Sequence, residues 1–76
     1  MVHAYVMVRT AAGASQDVLP VLEGLDGVTE AHVVAGKHDV IVEFEVPDTA
    51  GLLSRVTSEI QHVEGVEETR TYIALD

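Results

Sequence analysis

The sequence predicts an α+β domain with the element order β-α-β-β-α-β: a four-stranded antiparallel sheet with two helices on one face. Three observations carry this. "GLDGVTEAHV" (Gly24 to Val33) has a counterpart in "HVEGVEETRT" (His62 to Thr71), and Gly27 and Gly65 stand 38 residues apart, half of the 76-residue chain. "VIVEFEV" (Val40 to Val46) alternates residue character with the period of a strand that has one buried side. Apolar residues recur at helical spacing in two segments, and each segment runs into one of the repeated Gly-Val pairs. Two βαβ halves joined by right-handed crossovers give the ferredoxin-like arrangement.

The elements follow in order. "VHAYVMVR" is rich in β-branched and aromatic residues and is short enough for a strand. "TAAGAS" breaks it. A helix comes next, with Val18, Leu19, Leu22 and Leu25 as its apolar stripe. Either Ser15 or Asp17 can cap it. Asp17 is the better cap, because Pro20 then falls in the first turn, where its missing N–H matters least. Gly24 and Gly27 end the helix, and "VTEAHVVA" reads as the second strand. "GKHD" is a turn in which Gly36 supplies permissive dihedrals and Asp39 bonds back to the backbone. The third strand puts Val40, Val42, Phe44 and Val46 on one side and Ile41, Glu43 and Glu45 on the other. Asp48 or Thr49 caps the second helix, whose stripe is Leu52, Leu53, Val56, Ile60 and Val63. Gly65 stops it, and "VEETRTYIAL" is the last strand.

Length and composition set bounds. Residues 1–76 make one domain, and a domain of this size buries only about 60% of its unfolded surface. The chain has no cysteine, no tryptophan and three other aromatic residues, Tyr5, Phe44 and Tyr72. No disulfide or thiolate metal site can staple it, and the core must be aliphatic. Self-association is the remaining route to stability. The formal charge of −9 and the scattered cations Arg9, Lys37, Arg55 and Arg70 argue against a nucleic-acid partner. Such acidity fits a high-salt cytoplasm, where screening relieves self-repulsion, and equally an ordinary solvated acidic surface. "MVHAYVMVR" lacks the marks of a signal peptide, and no run approaches the roughly 20 apolar residues of a membrane span. A cytoplasmic protein is expected.

Both sides of the predicted sheet carry apolar residues. In the first strand Ala4, Val6 and Val8 oppose Tyr5 and Met7; in the last, Thr71, Ile73 and Leu75 oppose Tyr72 and Ala74. A half-exposed sheet should alternate more cleanly, so the bare face is expected to pack against a second sheet in a dimeric αβ barrel.

Candidate chemistry is sparse. His3, His32, His38 and His62 lie on different elements without the i, i+4 spacing of a helical zinc site, so no metal is expected. His32 and His38 flank the turn and are the one pair able to approach. His38, Asp39, Glu43 and Glu45 form a titratable cluster, but the glutamates continue the strand alternation. No nucleophile elbow, phosphate loop or dinucleotide fingerprint is present, and no cofactor is expected. Intramolecular or subunit ion pairs are expected for Arg9 and Arg70.

"GVTEAHVVAGKHDVIVEFEV" followed by "GVEETRTYIAL" resembles the effector-binding domain of the leucine-responsive/asparagine regulator (Lrp/AsnC) family, also called the RAM domain. The matching pieces are Gly36-Lys37-His38-Asp39, Val40 to Val46, Gly65-Val66 and Thr69-Arg70-Thr71. The resemblance implies sheet-to-sheet homodimers that assemble into octamers or decamers, with an amino acid or similar small effector bound between dimers. It implies a ligand site built from Gly36, His38 and Asp39 of the turn, Thr69 and Thr71 of the last strand and, more loosely, Glu59 of the second helix. Asp39 suits an ammonium, and backbone N–H groups near Gly36 suit a carboxylate. Two departures stand out. The family's DNA-reading helix-turn-helix has no counterpart here, so the chain reads as a stand-alone effector domain that can join full-length regulators. His38 also stands where the family commonly has Tyr, which makes it a pH-sensitive contact in the turn.

The expected function is therefore non-enzymatic: amino-acid sensing coupled to oligomerisation, of transcription-regulator type. The alternatives are a small dimeric αβ-barrel enzyme, which needs a polar pocket containing His3 or His38, and a purely structural oligomerisation module.

Overall fold

The computed structural model describes residues 1–47 and 50–76, with side chains at all of these except residues 50–52. Its elements are β1 (Val2–Thr10), α1 (Ser15–Glu23), β2 (Val28–Val33), β3 (Val40–Val46), α2 (Ala50–Gln61) and β4 (Val66–Ile73). The strands form one antiparallel sheet in the order β2-β3-β1-β4. This is the ferredoxin-like arrangement read from the sequence.

The two central strands are those whose sequences alternate best. Register pairs Ala4 with Phe44, Val6 with Val42 and Val8 with Val40, so all six side chains point to one side. Each is essentially sealed from solvent, as are Val18 and Leu22 of α1 and Val56 and Ile60 of α2. One cluster contains them all, which places both helices over the same face. Each buried side chain of this size contributes about 1.5–3 kcal/mol. An aliphatic core around a single phenylalanine is what the composition allows.

The edge strands behave differently. In β4 most side chains are half-buried or exposed, and β2 buries only Ala31. Each edge strand carries a register shift near its start: Thr29 has no partner on β3, and Glu67 has none on β1. These positions are 38 residues apart, so the repeat includes its irregularity. Gly27 and Gly65 precede the two bulges with φ of +91° and +97°. An L side chain is disfavoured there, which explains why the Gly-Val pair occurs twice.

Two expectations are corrected. α1 begins at Ser15 with Ala14 as the capping residue, and no side chain caps it. Asp17 lies in the first turn, where its charge still suits the helix dipole, and Pro20 sits inside the helix. Val18 and Leu22 must both reach the sheet, and that packing overrides the proline's lost N–H bond to the Gln16 carbonyl. Gly36 is the second correction. It does not adopt a positive φ, unlike Gly13, Gly27 and Gly65, so the turn makes no use of glycine's left-handed freedom. The proposed caps Asp48 and Thr49 and the side chain of Leu52 lie outside the described residues.

Candidate functional site

The segment from Val34 to Asp39 leaves the edge strand β2 and passes over the end of β1 before entering β3. The Asp39 N–H donates to the Val8 carbonyl at 2.9 Å, and the Val34 N–H donates to the Asp39 carbonyl at 2.8 Å. One carboxylate oxygen of Asp39, Oδ2, accepts the Thr10 N–H at 2.8 Å and the Thr10 hydroxyl at 3.3 Å. Thr10 lies two residues beyond Val8, where the β1–β3 pairing ends, so its N–H needs an acceptor outside the ladder. Asp39 supplies it. The aspartate does bond back to backbone, as its place in the turn predicts, but to β1.

His38 lies next to this contact. Its side chain is 15% exposed, and its Nε2 is buried, faces Glu68 Oε1 at 3.7 Å and makes no hydrogen bond. Glu68 also receives Arg9 Nη2 at 2.9 Å and has Arg70 Nε at 4.0 Å. Arg9 and Arg70 therefore form the intramolecular ion pairs expected of them. His32 instead pairs with Glu30 at 3.1 Å. β2 and β4 are opposite edges of the sheet, so the carboxylates that His32 and His38 approach, Glu30 and Glu68, lie on opposite edges.

Thr69 and Thr71 pair with Val8 and Val6 and so point to the helix side of β4. The Gln61 side-chain amide of α2 donates to Thr69 Oγ1 at 3.3 Å. Gln61, Val66, Glu67, Glu68 and Thr69 line an open cleft of about 310 Å³. Thr69 and the His38–Asp39 pair thus flank the same end of β1, on either side of Glu68. Thr71 is exposed two residues along the strand. Gly36 is exposed at the tip of the segment, and a Cβ there would touch nothing within 4 Å.

Glu59 is elsewhere. Its Oε1 accepts from Arg55 Nε at 3.2 Å, one turn earlier on α2. The pair borders a cleft of about 190 Å³ shared with Asp26 and Gly27, Val56, and Glu45, Val46 and Pro47 at the far end of β3. Within one chain His38, Asp39 and Thr69 therefore border the same end of β1, Gly36 and Thr71 are exposed, and Glu59 lies elsewhere. Thr10, Glu68 and Gln61 join the first group unforeseen. Strand alternation predicts only that Glu68 is solvated, and nothing local marks Thr10 as the donor Asp39 serves.

The bare face of the sheet holds Tyr5, Met7 and Ile41, all half-buried, and Tyr72, 51% exposed. His3 stacks on Tyr5 with ring centroids 5.2 Å apart and lies 3.4 Å from both Glu43 and Glu45. His3 and His38 line none of the clefts described above. Among the described residues no cluster suits a metal ion, and no helix is long and apolar enough to cross a membrane.

Residues 3–76 match the model of the Lrp/AsnC ligand binding domain. The leucine-responsive regulatory protein of Escherichia coli strain K12 is 27% identical over 55 residues, which are 72% of this chain and 34% of that protein. The chain thus spans about a third of the length of the curated relatives it matches. Among solved structures, the hypothetical protein PHS023 of Pyrococcus horikoshii is 36% identical with a TM-score of 0.87, covering 100% of this chain and 92% of that one. E. coli AsnC is 25% identical with a TM-score of 0.85, covering 99% of this chain and 51% of that one.

Proposed function

Because the chain belongs to the Lrp/AsnC ligand-binding domain family, we propose that it is a non-enzymatic sensor of an amino acid or similar small effector whose occupancy shifts a self-assembly equilibrium. The observation that carries this reading is the family match over residues 3–76 combined with the approach of the 36–39 turn to β4, His38 to Glu68. In the proposed site Gly36 and its neighbours offer backbone N–H groups to a carboxylate. His38 and Asp39 face the ammonium, and Thr69 and Thr71 contact the side chain from a neighbouring dimer. Asp39 Oδ2 is committed to Thr10, so its second carboxylate oxygen is the one left for a ligand.

Dimers form through the bare face, where Tyr5, Met7, Ile41 and Tyr72 provide apolar surface on an otherwise acidic domain. Four or five dimers close into a ring. A role in transcription follows from relatives such as the leucine-responsive regulatory protein, through joint assembly with full-length regulators. Calorimetry with each of the twenty amino acids, run beside a mass measurement of the assembly, tests the proposal. Heat of binding is expected for at least one of them. No heat from any, with the oligomer intact, overturns it.

A further inference from the structure

The two halves of the chain build two clefts at equivalent places, and the halves differ inside them. A shift of 38 residues carries Asp26, Gly27, Arg55, Val56 and Glu59 of the 190 Å³ cleft onto Glu64, Gly65, Asp17, Val18 and Val21. Those five, with Ala14, line another cleft of about 370 Å³. In each, the Gly turn of one half meets the helix of the other. The repeat supplies the Gly turn and the facing helix of both clefts, and the Gly27 cleft is set apart by its helix side chains and by Glu45, Val46 and Pro47 at the end of β3, which have no counterpart in the other. At the Gly65 cleft the helix presents Asp17 and Val21; at the Gly27 cleft it presents Arg55 and Glu59.

The Gly27 cleft has three features that go together. Its floor is aliphatic, from Val46, Pro47 and Val56. One rim carries a guanidinium whose Nε is occupied by Glu59 at 3.2 Å, and among the described residues the four N–H donors on its terminal nitrogens have no partner. The other rim carries the Asp26 and Glu45 carboxylates, so carboxylates outnumber the guanidinium. Its volume of about 190 Å³ falls below the roughly 300 Å³ at which drug-sized pockets begin. A molecule that fits must be small, apolar in the middle, and able to present a carboxylate to Arg55 and an ammonium to the acidic rim.

We propose that the cleft between Gly27 and α2 binds a free aliphatic α-amino acid within a single protomer, at a site separate from the one formed by the 36–39 turn. Arg55 takes the carboxylate bidentately, Asp26 and Glu45 take the ammonium, and the side chain lies on Val46, Pro47 and Val56. Glu59 is a positioning residue that holds the guanidinium over the cleft. The separation is built into β3: the turn precedes Val40, whereas Glu45 and Val46 end the strand, about 20 Å away at the rise of a β-strand. A Cβ at Gly27 would come within 3.2 Å of the Glu45 carbonyl and 3.4 Å of Val46 Cγ1, so the turn packs closely on the end of β3.

Nuclear magnetic resonance of the isotopically labelled full chain tests this, because it reads the two sites separately. The probes are L-valine, L-leucine and L-isoleucine, with 4-methylpentanoate and 3-methylbutylamine as analogues lacking one charge each. Saturable shifts of Gly27, Val56 and the Arg55 Nε–H are expected with at least one amino acid. At least tenfold weaker binding is expected for both analogues, and for the Arg55→Gln variant with that amino acid. Asp17→Asn, at the equivalent place in the other cleft, should leave affinity unchanged. Shifts confined to residues 36–39 and 69–71 would overturn this site and leave the sensor reading standing. Shifts confined to the cleft would do the reverse. Equal binding of the amine and the amino acid would overturn the assignment to Arg55.

Discussion

Replacing Asp39 decides whether this residue serves the fold, the ligand, or both. Thr10 is a buried polar residue, 7% exposed, and its N–H lies beyond Val8 and Val40, the last β1–β3 pair. Asp39 Oδ2 accepts that N–H at 2.8 Å and the Thr10 hydroxyl at 3.3 Å. Asp39→Ala leaves a buried donor without a partner, which costs about 1–3 kcal/mol, and removes a hydrogen bond to a charged group, worth about 1.5–3 kcal/mol. These are two descriptions of one loss, so a total near 2–3 kcal/mol is expected. Asp39→Asn keeps a carbonyl oxygen for Thr10 and should lose only about 1 kcal/mol. With an m value near 1 kcal/mol/M for so small a domain, the urea midpoint should fall by about 2–3 M for alanine and about 1 M for asparagine. Both variants must be compared with the wild type at one protein concentration, since assembly adds to apparent stability. An alanine variant within about 0.5 M of wild type would refute the structural role, given the same m value. Equal losses for the two substitutions would refute the hydrogen-bond argument. Affinity measured on the asparagine variant then isolates the ligand role. A tenfold weaker effector with a nearly unchanged midpoint means that the charge itself meets the ammonium.

Three further outcomes follow from the same structure. Gly65→Ala places a Cβ 2.9 Å from Val18 Cγ2 at φ +97°, whereas Gly13→Ala at φ +78° meets nothing within 4 Å. Both bear the left-handed penalty of about 1–2 kcal/mol, but only Gly65→Ala adds overpacking of about 1–3 kcal/mol. The urea midpoint should rank them in that order. Pro20→Ala restores a helical N–H at an exposed site and should stabilise the domain by about 1–2 kcal/mol, read as a rise in Tm; a fall would mean that the ring's packing matters more than the lost bond. Raising NaCl from about 0.02 M to 1 M shortens the Debye length from roughly 20 Å to 3 Å and should raise Tm, because the chain carries a charge of −9; a Tm that falls or stays level would show that the acidic surface is not under self-repulsion.

The fold was legible because its signals are local and doubled. Alternation in "VIVEFEV" named the four core residues of β3 correctly, and the repeated Gly-Val located both returning strands. The cap of α1 was not legible. Asp17 is a sound cap by local chemistry, but the need to bury Val18 and Leu22 moves the helix start back to Ser15 and takes Pro20 inside. Gly36 misled in the opposite way, since a glycine in a turn suggests a left-handed residue and the chain makes this bend without one. At the candidate site the turn and Thr69 came from a resemblance that fixes order along the chain. Their meeting at the end of β1 depends on the strand order β2-β3-β1-β4, which brings β4 beside β1. Thr10 could not be found at all, because its role arises where the β1–β3 pairing ends, which no local pattern encodes.

The register slips also bear on where chemistry can arise in such a fold. Each half needs a glycine with positive φ and then a bulge to turn a helix into an edge strand, so Gly27 and Gly65 are fixed by geometry in the same way. Residues constrained equally in both halves cannot distinguish them. The facing helix positions are free to differ, because Asp17, Arg55 and Glu59 project from turns that bury their neighbours Val18 and Val56. The chain has four cations, and one of them stands at this position in the second half opposite two carboxylates. Arg55 also forms an i, i+4 ion pair with Glu59, worth about 0.2–0.5 kcal/mol to the helix, and that pair alone would account for a guanidinium there. The titration of the Gly27 cleft therefore separates two roles for Arg55: a ligand of both signs would report at Arg55 and Gly27 together, whereas a helix-stabilising pair would not respond to it.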